Sequence, residues 1–118
     1  MRVIVAGAVS WSDADAILRE LTKLPPDATI IHGDCDGADA LAGQVAAQMG
    51  FRVEPMAKCD SDFASYGALA WKGLNERMLA SGANLVLAFH PDVESSQGSR
   101  HLMDLARAAE IEVRTFSA

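Results

Sequence analysis

Two rhythms alternate along this chain. Short, nearly continuous apolar runs rich in β-branched residues are separated by longer stretches whose apolar residues recur three and four positions apart. The first rhythm belongs to strands covered on both faces, the second to helices with one covered stripe. Arg2 to Ala6 reads as a strand ending at Gly7, and Thr29 to His32 as a second ending at Gly33. Phe51 to Met56 is a third, with Pro55 near its end, and Asn84 to Phe89 a fourth. Glu110 to Thr115 is the last.

Between them lie the helices. Ser12 reads as an N-cap, with Asp15 in the capping-box position. Ala16, Ile17, Leu21 and Leu24 follow at helical spacing until Pro25-Pro26-Asp27 stops them. Asp36 or Asp39 opens a second helix, with Ala38, Leu41, Ala42, Val45, Ala46 and Met49 as its stripe and Gly50 as its stop. Cys59 to Gly67 shows no period and reads as irregular chain. A helix from about Ala68 to Ala80 ends at Gly82, and His90 to Gly98 reads as polar loop. Ser99 to Ala109 is the last helix, with Leu102, Met103, Leu105 and Ala106 inward. The pattern predicts an α/β fold: one Rossmann-like, doubly wound domain over residues 1–118, with a mainly parallel five-stranded sheet.

Composition narrows the function. Ten Lys and Arg face sixteen Asp and Glu, a formal net charge of −6. That balance disfavours general nucleic-acid binding and adhesion to anionic lipid. The longest run without a polar residue is the seven from Val3 to Val9, too short to span a bilayer or to serve as a signal peptide. Two cysteines, Cys35 and Cys59, do not make a disulfide framework, so a cytoplasmic protein is expected.

In an open parallel sheet, ligands bind at the carboxyl ends of the strands. Gly7-Ala8-Val9-Ser10-Trp11 leaves the first strand there. Gly7 lets backbone approach a ligand, and Trp11 or Tyr66 is the candidate ring to stack on it. Packing is the alternative for both rings and the preferred role for Trp71, which shares its helix with Leu74, Met78 and Leu79. His32-Gly33-Asp34-Cys35-Asp36-Gly37-Ala38-Asp39 places two glycines before a helix, so that main-chain amides can face an anion. The same carboxylates can instead cap that helix, and Asp39 is the candidate for a buried structural role. Gly98, Ser99 and Arg100 form a further potential phosphate cradle.

Taken together, these elements resemble the SLOG superfamily, the Rossmann-like group that includes the LOG and DprA proteins. They are most similar to small YspA/YpsA-like members found in actinobacteria and their phages. The resemblance rests on His32-Gly33-x-x-x-Gly37-Ala38-Asp39 after the second strand, on Asn75 and Met78 in the middle helix, and on Gly98-Ser99 before the last helix. It extends over nearly the whole chain. The family's Gly-Ser-Arg reads Gly7-Ala8-Val9 here, and its Arg-Asn reads Leu74-Asn75. Each lost Arg removes a charged hydrogen bond of about 1.5–3 kcal/mol. Seven carboxylates (Asp34, Asp36, Asp39, Asp60, Asp62, Asp92 and Glu94) surround the expected mouth, against Lys58 and Arg100. A bridging Mg²⁺, a nucleoside-like ligand or basic residues from a second subunit would each relieve that imbalance.

The leading reading is a non-catalytic or weakly catalytic binder of a nucleotide-like small molecule, acting as a sensor, carrier or sequestering factor. The ligand residues that the resemblance carries, together with those read from the loops, are Gly7, Ala8, Trp11, His32, Gly33, Asp34, Gly37, Asp39, Asn75, Gly98, Ser99 and Arg100. The alternative is a phosphoribohydrolase-like enzyme acting on nucleoside monophosphates. Against it, Leu102 stands where that branch carries a glutamate, and an alkyl chain moves no proton. A metal site would draw on Cys35, Cys59, His32 and His90, but their spacing fits no zinc pattern, and unpaired buried cysteines are expected instead. A structural homo-oligomer is the last alternative. The resemblance also implies a homodimer, with the helix of Trp71, Leu74, Met78 and Leu79 as candidate interface.

Overall fold

The computed structural model describes residues 1–117. Its five strands are β1 (Arg2–Gly7), β2 (Thr29–His32), β3 (Arg52–Pro55), β4 (Leu85–Phe89) and β5 (Glu112–Phe116). They form one sheet in the order β3-β2-β1-β4-β5, and every neighbouring pair is parallel. The order reverses at β1, so the crevice between the loops after β1 and β4 is the topological switch point.

The helices are α1 (Ala14–Leu21), α2 (Ala38–Gln48), α3 (Asp60–Tyr66), α4 (Trp71–Ala80) and α5 (Gln97–Ala108). α1 and α2 cover one sheet face, where Ile17, Leu21, Ala42 and Ala46 meet Val3, Val5, Ile30 and Leu87. α4 and α5 cover the other, where Leu74, Met78, Leu102 and Ala106 meet Ile4, Ile31 and Val86. Alternate residues of β1 therefore enter opposite cores, and Val3, Ile4 and Val5 are all fully buried.

Several local expectations are corrected. The α1 cap is Asp13, not Ser12, because the Asp13 carboxylate accepts the Ala16 amide. Cys59 to Gly67 is not irregular: α3 lies within it. This helix buries Asp62 and exposes Phe63, so it carries no apolar stripe for periodicity to detect. α5 begins earlier than Ser99, because the Ser96 hydroxyl accepts the Ser99 amide and acts as its cap. Both cysteines are exposed, not buried, since each lies where the chain leaves the sheet edge. The proposed dimer helix does not present its apolar set outward, as Leu74 and Met78 are buried in the chain's own core.

One ion pair fastens α3 to α4. Arg77 Nε donates to Asp62 Oδ1 at 3.1 Å and Nη2 to Oδ2 at 2.5 Å, while Asp62 also accepts the Cys59 amide at 2.9 Å. Arg77 donates further to the Ala57 carbonyl at 2.7 Å. The Asp62 carboxyl is consequently held well below the usual carboxylate range, chiefly by the Arg77 hydrogen bonds. Its stabilisation is complete above the ordinary pKa of 3.8 and is lost as pH falls below it. Asp62→Ala leaves the guanidinium without its carboxylate and frees the segment that follows β3. Melting at pH 7 should drop by on the order of 10 °C by circular dichroism, with a smaller deficit near pH 2.

Candidate functional site

β1 and β4 run side by side to the switch point, and their exit loops determine what opens there. Ala8 donates its amide to the Phe89 carbonyl at 2.9 Å, fastening the two exits together. Gly7 is required at this contact, since a Cβ would collide with the Phe89 carbonyl and lie 2.9 Å from the Ala38 Cβ. The chain then turns over the α1 side. Trp11 is buried there against Phe89, ring centroids 5.6 Å apart, and its indole N–H donates to the Asp13 carbonyl. It is therefore a core residue and does not cover the strand ends.

The loop from β2 to α2 is filled largely by its own groups. The first α2 amide, that of Ala38, donates to the Ala8 carbonyl at 3.1 Å. Gly37 has φ +74°, and a Cβ on it would overlap the Ala8 and Val9 carbonyls. Gly37 thus makes room for main chain and not for a solute. The His32 ring packs over Gly43 of α2, its Nδ1 2.8 Å from the Gly33 carbonyl oxygen. Gly33 lies over Asp39, and a Cβ there would sit 2.7 Å from Asp39 Oδ2. The expected amide cradle at α2 is consequently occupied by the protein itself.

A hollow of about 390 Å³ nevertheless opens on the α4–α5 side of the switch point. Residues 6–9 from the end of β1 form its back, with Asp34, Cys35, Asp39 and Lys58 on one flank. Trp71, Leu74, Asn75 and Met78 of α4 form another wall, and His90, residues 96–99 and Leu102 close it from the β4–α5 side. Gly7, Ala8, Asp34, Asp39, Asn75, Gly98 and Ser99 from the sequence reading come together here. Trp11, His32, Gly33, Gly37 and Arg100 do not line it. Arg100 projects instead into a neighbouring groove.

The charges around the hollow are largely self-compensated. Lys58 donates to Asp34 through both Nζ, at 2.6 Å, and its main-chain amide, at 3.1 Å. Partial burial pushes the Asp34 carboxyl up, but these bonds and the ammonium charge outweigh it and leave the pKa lowered. Asp39 is 8% exposed and meets only the Cys35 amide, at 3.4 Å. Burial, with the Asp34 charge adding to it, pushes Asp39 up to about 7. Partial desolvation, with the Asp39 charge beside it, pushes the Cys35 thiol up although the residue as a whole is exposed. Of the two carboxylates that line the hollow, Asp34 is thus paired and Asp39 loses its charge below about pH 7, while Asp36, Asp60, Asp92 and Glu94 do not line it.

α5 aims its N-terminus into the hollow. Ser96 caps the Ser99 amide, which leaves the Gln97 and Gly98 amides of the first turn without a helical acceptor. Asn75 supports this turn from α4 by donating Nδ2 to the Gly98 carbonyl at 3.1 Å. Trp71 stands one turn before Asn75 on the same helix face and reaches the hollow, with the His101 ring edge-on at 5.4 Å. The sequence reading assigned Trp71 to packing. Its spacing of four from Asn75 is the signal that places both on one wall. Among the described residues no group of three or more His, Cys, Asp or Glu side chains is arranged to hold a metal ion.

The family model for YspA, cpYpsA-related SLOG proteins matches residues 1–66, from β1 through α3. The Gene 61 protein of Mycobacterium phage D29 is 34% identical over 122 residues, covering 98% of this chain and 95% of that protein. The chain belongs to the YspA/cpYpsA-related SLOG family. The X-ray structure of DNA processing protein A (DprA) from Streptococcus pneumoniae shares the fold, with a TM-score of 0.74 at 16% identity over 97% of this chain. This SLOG chain spans 49% of that longer one, so the likeness is one of architecture. No helix among the described residues is long and apolar enough to cross a membrane.

Proposed function

We propose that this SLOG protein binds a nucleotide-like small molecule in the hollow at the switch point and acts as a sensor, carrier or sequestering factor without turning it over. The carrying observation is the pairing of the free α5 N-terminus with Trp71 across one hollow of about 390 Å³. That volume lies within the usual range for small-molecule sites. An anionic group fits the Gln97 and Gly98 amides, and a planar ring fits the face of Trp71. Of the two anion cradles that the sequence offers, the one at α5 suits this role better than the one at α2, because Ala38 already spends its amide on Ala8. The compensated Asp34–Lys58 pair and the neutral form of Asp39 below pH 7 make the hollow tolerant of an anion.

Two features of the hollow support a reading without turnover. Leu102 is buried on its wall where the hydrolase branch carries a carboxylate. Asp34 is engaged by Lys58. One observation favours the second reading, a hydrolase of nucleoside monophosphates: Asp39 lines the hollow with a pKa near 7, suited to proton transfer. Release of free base from nucleoside monophosphates, followed by chromatography, separates the two. The binder predicts none. The homodimer and the cytoplasmic location expected from the sequence belong to the same proposal, the first through a surface other than the buried face of α4, and are tested by light scattering and by cell fractionation respectively.

Trp71→Ala tests the site directly. Base stacking contributes about 1–3 kcal/mol, so nucleotide affinity by calorimetry should fall about tenfold or more. The melting temperature should move little, because Trp71 is only half-buried. Unchanged affinity would place the ring elsewhere.

A further inference from the structure

A second, shallower groove of about 410 Å³ lies on the other side of Trp71 and Gln97, which line both hollows. Its charged lining is Lys72, Arg100 and Asp104, with His101 between α4 and α5. Among the described residues neither Lys72 nor Arg100 forms an ion pair, although the chain carries a net charge of −6. Five of the ten Lys and Arg side chains form no ion pair among the described residues, and two of those five share this one groove. Lys72 is also positioned, its Nζ 5.8 Å from the centroid of the Trp71 ring. His101 Nδ1 lies 3.1 Å from Asn75 Nδ2, which as a donor selects the tautomer with its proton on Nε2. Burial and the Lys72 charge lower the His101 pKa, against Glu76 and Asp104, so the ring is neutral at pH 7 and still offers one N–H.

We infer that the two hollows are halves of one bipartite site, and that the Lys72–Arg100 groove holds a second phosphoryl group of the same ligand, beyond the one at the α5 N-terminus. This rests on the nucleotide reading above and narrows it to ligands with a di- or polyphosphate arm. Gln97 is the hinge of the argument. It opens α5, it lines both hollows, and Arg100 follows three residues later on the same helix. A phosphoryl chain leaving the Gln97 and Gly98 amides meets Arg100 on one side and Lys72 on the other. Asp104 leaves the groove one positive charge in excess, enough to favour an anion without needing a metal.

Calorimetric titration with nucleoside mono- and diphosphates of all four common bases tests this. For the best-bound base, the diphosphate should bind about tenfold or more tightly than the monophosphate, as expected for added charged hydrogen bonds. In the Lys72→Gln/Arg100→Gln double variant that advantage should disappear, the loss falling on the diphosphate far more than on the monophosphate. Both side chains project from helix surfaces, and unchanged circular dichroism would confirm the fold. The Trp71 indole and His101 ring resonances should shift further with the diphosphate than with the monophosphate. Monophosphate binding with no diphosphate advantage, or an advantage that survives the double variant, overturns the bipartite site and leaves the nucleotide reading standing. No binding of either, with the Trp71 resonance unmoved, overturns both.

Discussion

Gly37→Val should destabilise the whole protein, and not merely block a ligand. Gly37 has φ +74° and ψ −126°, a conformation open to glycine and strained for any residue with a Cβ. The added atom would also overlap the carbonyls of Ala8 and Val9, which are rigid main chain. Strain of about 1–3 kcal/mol and overpacking of about 1–3 kcal/mol add in the same place. At roughly 4 °C per kcal/mol, a fall in melting temperature on the order of 15 °C is expected. Gly37→Ala should be nearly as harmful, because the collision is with Cβ itself. That pairing separates packing from ligand entry. If Gly37 faced a solute, alanine would be tolerated thermally and valine would lose only binding. A Gly37→Ala protein melting within two or three degrees (roughly half a kcal/mol) of the parent would contradict the packing account.

Asp39→Asn should stabilise the protein above neutral pH and do little in acid. The native carboxyl has a pKa near 7 because burial disfavours its charge, and the unfolded chain returns it to 3.8. Between these values the folded protein holds a proton that the unfolded protein releases. The resulting stability is fully present below pH 3.8 and is lost as pH rises through 7. Above that both states are ionised and the cost is constant, roughly 4 kcal/mol from the separation of the two values. The asparagine side chain carries no charge to desolvate and can still accept the Cys35 amide. Chemical denaturation at pH 8 should therefore favour Asp39→Asn by about 2–4 kcal/mol, with the two proteins converging near pH 4. Equal stability at both pH values would mean that Asp39 is ionised and solvated in the folded state.

The sheet was legible because its central strands are buried on both faces. Val3-Ile4-Val5, Ile30-Ile31 and Leu85-Val86-Leu87 are apolar without interruption, and regular alternation with helices left a parallel, doubly wound order as the consistent arrangement. α3 was not legible for the opposite reason. It is seven residues long, its buried residue is a carboxylate, and its large apolar Phe63 faces outward.

The rim was legible as a place but not in its details. Chain order put the loops after β1, β2 and β4 at one edge, and the hollow lies there. Sequence alone does not tell a glycine that yields to a ligand from one that yields to a neighbouring carbonyl. Gly37 is of the second kind, and its helix spends its first amide on Ala8. Nor does it say which way the chain turns after β1. Trp11 turns into the α1–α2 core, whereas Trp71, sixty residues later, takes the wall beside Asn75. A cap position slipped where two candidate side chains compete, Asp13 displacing Ser12, and α5 opens from a Ser96 cap ahead of the start expected at Ser99.

Native mass spectrometry of the freshly purified protein, with released molecules identified by mass, weighs the whole account at once. Retention of a nucleotide derivative by the parent, and its loss in Trp71→Ala, is the predicted result. A parent that carries no such molecule, and takes up none when supplied with nucleoside mono- and diphosphates, would contradict it.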